Sequence, residues 1–525
     1  MVGPLLRRLV LTVSSLPRAG ACSRAAAGIL AIAVVITWLT AGATASPKDL
    51  HYPQRPGSDS LAPSVATGLG PPGMAPKAGS PNVVLVTVDT WRADRLGLYG
   101  APRPTSPWLE TMAADSLVFE RAVAPSSWTW PVMASLVTGL YPGRHGTVLP
   151  DSALCGEVTT LAESFHQAGW RSGFAGSNEY FEPKDSGFRQ GFEYFWAAGS
   201  EAAARVLEYT GYFLEAAHQE PFFLQVHLFD PHCPYTPSEE ALGRAKATPF
   251  GPTGLGQGET VPPLPVDLAL QHLCHVVPPL DPNLHNLKPE DFQSSTDPQD
   301  YLDHYDAELI ETDEALAKLQ ALLEKTGDWD TSWIVITGDH GEEFHEHGRL
   351  GHGDSLHAET TWVPLLIRPP GGLPDGGQRI EQPVSLVDLA PTLLEAVGLT
   401  VPRGLDGRSL LGLLEGRTPA RRPVFSETRY RFGEAWWLIE GVGRRLLIDE
   451  GRGRAQLYDS RDSMDRNNLL DGRAEGFEYM RAAGLAGALH RERRRQERSA
   501  LCRDKTKDMD PEHTEQLRSL GYTTD

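Results

Sequence analysis

The stretch NVVLVTV, residues 82–88, decides the fold of this 525-residue chain. It is almost entirely apolar and rich in β-branched residues, which is the pattern of a strand buried on both faces of a sheet. Asp89 and Thr90 follow it at once. A strand of this kind is typical of a parallel sheet that is covered by helices on both sides.

Three further apolar runs have the same character, and helical patterns lie between them. The runs are Phe222–Phe229, Ser332–Thr337 and Val363–Ile367. Leucine and isoleucine recur at helical spacing in His304–Lys325, and Leu386–Val397 has a similar pattern. Strands that alternate with helices predict an α/β fold with a mostly parallel sheet.

Aspartates and histidines follow the predicted strands. In open parallel sheets, ligands bind beyond the carboxyl ends of the strands. Three strands lead into Asp89, Asp230 and Asp339, and the last two have His232 and His340 as close neighbours. One such aspartate alone would be interpreted as a helix N-cap. Three of them favour a site for a divalent cation of the Mn, Zn or Ca type.

The segment SSWTWPVMASLVTG, residues 126–139, predicts a loop that enters a helix ending near Gly139. Thr129 lies where this helix should begin. Its hydroxyl is either a helix cap or a nucleophile that a bound cation makes more acidic.

These segments resemble the sulfatase family of the alkaline phosphatase superfamily, and the likeness covers residues 82–470. Seven pieces occur in family order: VDTWRADRLGLYG, TWPVMASLVTGLYPGRHG, HLFDPHCPY, HYDAELIETDEALAKL, TGDHGEEFHEHG, GHGDSLHAETTWVPLLI and VSLVDLAPTLLEAVGL. YDSRDSMDRNNL resembles the C-terminal signature of the family. The resemblance implies an alkaline-phosphatase-like fold and hydrolysis of sulfate or phosphate esters.

The resemblance also implies a set of site residues. The ligands of one divalent metal cation (Mn, Zn or Ca) would be Asp89, Thr129, Asp339 and His340. The catalytic residues would be Thr129, His232 and His352. In these roles Thr129 attacks, His232 contacts the ester or leaving oxygen, and His352 binds the transferred anion. The alternative that His232 and His352 are ordinary surface histidines stays open, and His345 and His347 are interpreted as structural.

Two departures from the family pattern bear on the chemistry. The usual C-x-P-x-R segment, whose cysteine becomes formylglycine, reads Thr129, Pro131 and Met133 here, and Thr90 replaces the second aspartate of a paired motif. Threonine cannot yield that aldehyde. The chain therefore also resembles Thr-nucleophile phosphotransferases, such as phosphoethanolamine transferases and lipoteichoic acid synthases.

Three functions follow from this comparison. The first is an exported, metal-dependent hydrolase of sulfate or phosphate esters, with a small-molecule or glycan substrate. The second is a phosphoryl-alcohol transferase of the cell envelope, and the third is a non-catalytic binding protein on the same scaffold. A net charge of -20 argues against a nucleic-acid partner. Arg92, Arg144 and Lys184 are candidate cations near the pocket, and the sequence is silent on the oligomeric state.

The ends of the chain divide it into further segments. Arginines, an apolar run and an Ala-Thr-Ala site predict a signal peptide or membrane anchor at 1–45, hence a periplasmic or secreted protein. Residues 46–80 read as a Pro/Gly/Ser-rich linker and 81–420 as the catalytic domain. A small antiparallel sub-domain is predicted at 421–490 and a charged tail at 491–525. The four remaining cysteines permit disulfides whose pairing the sequence does not assign.

Overall fold

The computed structural model describes residues 64–65, 76–77, 79–181, 186–199, 202–217, 219–250, 297–417, 421–429, 435–441, 443–471 and 476–502. The predicted signal peptide or anchor lies outside these residues. So do most of the predicted linker and most of the charged tail. Residues Thr248–Ser295, whose many prolines and glycines and lack of periodicity predict a long surface loop, also lie mostly outside the described part.

The described residues contain strands and helices in alternation. The strands are β1 (Ser64–Val65), β2 (Asn82–Val88), β3 (Leu117–Phe119), β4 (Ala122–Val123), β5 (Arg171–Ser177), β6 (Tyr194–Ala198), β7 (Phe222–Leu228), β8 (Ser332–Gly338), β9 (Glu343–Phe344), β10 (Leu350–Gly351), β11 (Trp362–Val363), β12 (Leu365–Arg368), β13 (Gln378–Ile380), β14 (Val384–Ser385), β15 (Val424–Thr428), β16 (Trp436–Gly441), β17 (Arg444–Asp449) and β18 (Arg454–Asp459). The α-helices are α1 (Pro107–Met112), α2 (Thr129–Thr138), α3 (Pro142–His145), α4 (Leu161–Gln167), α5 (Ala203–Ala216), α6 (Glu239–Ala247), α7 (Pro298–Thr326), α8 (Ala358–Thr361), α9 (Leu389–Ala396), α10 (Leu411–Leu414) and α11 (Gly476–Ser499). Short 3-10 helices span Ala93–Arg95, Gly97–Tyr99, Ala113–Asp115, Glu179–Phe181, Trp329–Thr331 and Leu386–Asp388.

A nine-stranded sheet with the order β1-β6-β5-β7-β2-β8-β12-β3-β13 forms the centre of the fold. The five strands from β6 to β8 in this order run parallel to one another. The predicted α/β fold with a mostly parallel sheet is therefore confirmed, and β2 is its central strand.

Both faces of β2 are buried, as its composition predicts. Val83 and Leu85 belong to one hydrophobic core, whereas Val84 and Val86 belong to the other. The first core also contains residues of α2, α4 and α9, and the second contains residues of α5 and α7. Alternate side chains of one strand thus hold two helical layers against the sheet. Each fully buried Val or Leu contributes about 1.5–3 kcal/mol.

The apolar run Val363–Ile367 was predicted as one strand, and this prediction is wrong. It is divided between β11, which pairs with β4 in a small separate sheet, and β12 in the large sheet. Pro364 lies between the two strands, and because proline has no N–H to donate it interrupts the ladder. The strand β12 also runs antiparallel to both neighbours.

A four-stranded antiparallel sheet, β15-β16-β17-β18, follows the large domain. Side chains of α11 pack against it, and this helix continues across the predicted boundary at 490/491. A disulfide joins Cys155 to Cys502, just beyond α11. Among the described residues, no helix combines the length and the apolar character that crossing a membrane requires.

Candidate active site

The carboxyl ends of four adjacent parallel strands meet at one edge of the sheet. Asn178 follows β5, His227 lies near the end of β7, Asp89 follows β2, and Asp339 follows β8. The parallel direction of these strands carries all four side chains to the same edge, where ligands bind in such sheets.

Three of the predicted metal ligands form one cluster. Donor atoms of Asp89, Asp339 and His340 lie within 4.8 Å of one another, and all three residues are buried. His340 Nε2 lies 3.4 Å from Asp89 Oδ1 and 3.6 Å from Asp339 Oδ2. The predicted convergence of these groups is present in the structure.

Each carboxylate of the cluster has one oxygen held by the protein and one without a hydrogen bond. Asp339 Oδ1 accepts from the backbone N–H groups of Thr90 (3.2 Å) and His340 (2.6 Å). Asp89 Oδ2 accepts from Asn178 Nδ2 at 2.8 Å. The other oxygens, Asp89 Oδ1 and Asp339 Oδ2, have no hydrogen-bond partner within the described part of the chain. Because buried carboxylate oxygens require partners, the residues present fit a cation.

Thr129 is the first residue of α2, and its hydroxyl points to the cluster. Thr129 Oγ1 lies 3.4 Å from Asp89 Oδ2 and 3.3 Å from His340 Nε2. The residue at the N-cap is Trp128, and no side chain caps this helix. The interpretation of the Thr129 hydroxyl as a helix cap is therefore wrong.

His232 and His352 lie beside this group. The His352 ring centroid is 4.6 Å from that of His340 and 5.1 Å from that of His232. His352 Nδ1 lies 3.0 Å from Glu342 Oε1, and Tyr235 donates its hydroxyl to Glu342 Oε2 at 3.3 Å. Both histidines are buried, with 4% and 7% of their surface exposed, so they are not ordinary surface histidines.

The pKa values of the two carboxylates in the cluster are shifted in opposite directions. Burial opposes ionisation of Asp89, but His232, His227 and His340 together hold its pKa below the usual range. Burial and the Asp89 carboxylate raise the pKa of Asp339 well above its ordinary value. Burial lowers the pKa of His340 to about 3, which keeps its imidazole neutral as a metal ligand requires. Two adjacent buried carboxylates are an arrangement that a cation stabilises.

The three basic side chains that the sequence predicted near the pocket either pair with carboxylates outside the cluster or lie outside the described residues. Arg92 is fully buried and pairs with Asp94 at 2.8 Å and Glu346 at 2.7 Å. Arg144 pairs with Asp406 at 3.0 Å. Lys184 lies outside the described residues. The first two arginines are therefore paired with carboxylates outside the cluster.

Other polar residues of the motifs have structural contacts. Asp230 accepts from the backbone N–H of Ala203, the first residue of α5. His347 Nδ1 lies 2.5 Å from Glu359 Oε1, and its ring stacks on that of His357 at 3.7 Å. His345 has a positive φ of 73° in the same loop.

Sequence reasoning missed Asn178, His227 and Glu342. Asn178 follows a strand, RSGFAGS, which contains two glycines and an alanine, residues that are depleted in strands. His227 lies inside a strand that was recognised only for its apolar residues, and Glu342 adjoins the Asp339-His340 pair. The rule that the ends of parallel strands meet would have found Asn178 if β5 had been identified.

Known proteins resemble this chain in sequence and in fold. The chain is 27% identical over 377 residues to the ulvan-active sulfatase of Formosa agariphila, covering 65% of this chain and 66% of that protein. It is 26% identical over 482 residues to the multifunctional alkaline phosphatase superfamily protein PehA of Trinickia caryophylli, covering 77% and 87%. The crystal structure of the phosphonate monoester hydrolase of Agrobacterium radiobacter matches with a TM-score of 0.62 at 21% identity, covering 79% of this chain and 96% of that one.

The family profile described as Sulfatase matches residues 81–399, more than half of the chain. The matched region contains the whole acidic cluster, Thr129, and both flanking histidines. This protein is a member of the sulfatase family.

Proposed function

We propose that this sulfatase-family hydrolase cleaves sulfate or phosphate esters with Thr129 as the nucleophile and one divalent cation as cofactor. The observation that carries the proposal is the position of Thr129 Oγ1, 3.4 Å from Asp89 Oδ2 and 3.3 Å from His340 Nε2. Asp89, Asp339 and His340 would hold the cation, with Thr129 Oγ1 as a further ligand. When bound, the cation acidifies the hydroxyl and neutralises the charge that develops on the transferred group. Two carboxylate oxygens and an imidazole nitrogen suit Mn or Zn better than Ca.

The side chains of the site divide the chemistry between them. The Thr129 hydroxyl gives up its proton to solvent and its oxygen attacks phosphorus or sulfur, so that a new O–P or O–S bond forms and the bond to the leaving alcohol breaks. His232 gives a proton to the leaving oxygen, and His352 holds the transferred anion. Tyr235 and Glu342 orient the His352 ring through its Nδ1. Water then attacks the Thr129 ester and returns one proton to His232, the threonine oxygen recovers a proton from solvent, and phosphate or sulfate is released.

The nucleophile favours phosphate over sulfate. A formylglycine hydrate releases sulfate by elimination, whereas a threonine ester must be cleared by in-line attack of water. A phosphothreonine beside a dication is suited to this attack, and a sulfothreonine is turned over less easily. PehA is described as multifunctional, whereas the Formosa relative is described as a sulfatase on ulvan. An ester panel must therefore contain both classes and a glycan sulfate.

Export is supported by the disulfide between Cys155 and Cys502. Disulfides persist in oxidising compartments and are rare in the cytosol. Together with the signal-like sequence at 1–45, this bond favours a periplasmic or secreted protein.

The test is a panel of nitrophenyl sulfate, phosphate monoester and phosphodiester, with ulvan as the glycan sulfate, each with Mn, Zn or Ca. Thr129→Ala should lower kcat/KM by about 10³-fold or more, because the nucleophile is lost. Thr129→Ser keeps a hydroxyl and should retain part of the activity. Thr138→Ala is the matched control, since the hydroxyl of this threonine in the same helix donates to Ala134 O and accepts from the backbone N–H of Leu140.

Three outcomes would change the proposal. Full activity in Thr129→Ala would reject the nucleophile. A transferase would release the leaving alcohol without free phosphate or sulfate. It would also move the label from a substrate labelled in the transferred group to an added alcohol acceptor. A protein that binds metal but cleaves none of the esters would indicate a binding function.

A further inference from the structure

Besides Thr129 Oγ1 at 3.4 Å, two further polar side chains of the protein lie close to Asp89 Oδ2. Asn178 Nδ2 donates to this oxygen at 2.8 Å, and His227 Nε2 lies 3.4 Å from it. Both residues are buried, with 1% and 0% of their surface exposed. The sequence motifs of the chain assign no role to either residue.

The amide of Asn178 is fixed in one orientation. Its Oδ1 accepts from the backbone N–H of Tyr180 at 3.0 Å, within the 3-10 helix Glu179–Phe181. Because Oδ1 is used in this way, Nδ2 must face Asp89. The local turn therefore presents a donor to one carboxylate oxygen.

His227 is held from its other ring nitrogen. His227 Nδ1 lies 2.8 Å from Thr87 Oγ1 on the neighbouring strand β2. On its other side lies Gly176 of β5, where an added Cβ would come within 3.0 Å of His227 Cβ. The absence of a side chain at Gly176 leaves room for the Phe174 ring, 2.5 Å from such a Cβ, and for the Cβ of His227. Nε2 of the His227 imidazole lies 3.4 Å from Asp89 Oδ2.

We propose that Asn178 and His227 are positioning residues that hold Asp89 Oδ2 and thereby direct Asp89 Oδ1 to the cation. With Oδ2 held, Oδ1 faces His340 Nε2 at 3.4 Å. Asp339 is arranged in the same way, since backbone N–H groups hold Oδ1 and leave Oδ2 towards His340. Outer partners that orient ligating carboxylates typically change metal affinity by about 10–100-fold. This inference rests on the proposed metal-dependent function.

The test measures the Kd of Mn²⁺ and Zn²⁺ by calorimetry on the full-length protein after removal of metal with a chelator. Asn178→Ala and His227→Leu should each raise Kd by about 10–100-fold. His227→Gln retains a polar group near the position of Nε2 and should recover part of this loss. Gln225→Leu is the matched control, because Gln225 lies two residues earlier on the same face of β7 and its amide forms no hydrogen bond with any of the described residues.

A purely structural role gives a different result. It would lower the urea midpoint of the metal-free protein and leave Kd unchanged, so both are measured for every variant. The inference would be overturned if the wild-type protein binds metal and the Kd values of Asn178→Ala and His227→Leu lie within threefold of the wild-type Kd. Failure of the wild-type protein to bind either metal would overturn the proposed function as well.

Discussion

Removal of the disulfide between Cys155 and Cys502 should lower the stability of this protein by an amount that the loop length sets. The bond closes a loop with a sequence separation of 347 residues. In the chain-entropy treatment, a loop of this length costs the unfolded chain about 20 cal/mol/K, or about 6 kcal/mol at room temperature. Measured losses for native disulfides are about 2–5 kcal/mol, so we expect a decrease between about 2 and 6 kcal/mol.

The contacts around Cys502 indicate what the bond holds in place. The carbonyl of Cys502 packs on Gly146, where an added Cβ would lie 2.2 Å from it. The backbone N–H of Leu501 donates to Arg144 O at 2.8 Å. The disulfide therefore fixes the segment after α11 against α3, and its loss should loosen this end of the chain first.

The assay compares wild type with the double variant Cys155→Ser, Cys502→Ser in urea unfolding, followed by circular dichroism. The double variant is preferable to a reducing agent, because Cys233 is also disulfide-bonded. For a chain of this length, unfolding entropy scales to about 1 kcal/mol/K, so the upper figure corresponds to about 5 °C in Tm. A loss below about 1 kcal/mol would refute the loop-entropy reasoning.

Three further predictions concern buried charges and the cation. Arg445→Met should destabilise by about 3–5 kcal/mol, because Glu440 (3.3 Å) and Asp465 (3.0 Å) lose their buried partner; a urea midpoint equal to that of wild type would contradict this. Burial lowers the pKa of His145 from 6.5 to about 3. As the pH falls, His145 therefore becomes protonated in the unfolded chain but stays neutral in the folded chain. The free energy of unfolding should decrease by about 2 kcal/mol from pH 7 to pH 5. Urea unfolding at both pH values should show a smaller decrease in His145→Gln, and equal decreases would exclude His145 as the source. Removal of metal with EDTA should lower stability by about 2.7 kcal/mol relative to protein at a metal concentration of 100 Kd, and re-addition should restore it; a Tm indifferent to both steps would argue against a bound cation.

Much of the architecture could be predicted because burial on both faces leaves a strong local pattern. The bounds of β2 agree with those of its apolar run. The bounds of β7 and β8 each differ by one residue from those of the apolar run that predicted them. The division at Pro364 could have been foreseen from the missing N–H of proline. The strand β5 could not have been foreseen, since its residues have little preference for strands and its neighbours in the sheet stabilise it.

The sequence by itself determined the α/β fold, the family and the residue types at the site, because hydrophobic periodicity and short motifs are local properties. It placed an acid after β2, an acid and a histidine after β8, and a threonine at the start of α2. Only the tertiary structure decided that Asn178 and His227 face Asp89 Oδ2, that Glu342 orients His352, that Arg92 is neutralised, and that Cys155 pairs with Cys502. These contacts join segments far apart in the chain, so their distances depend on strand order and packing, which no local pattern encodes.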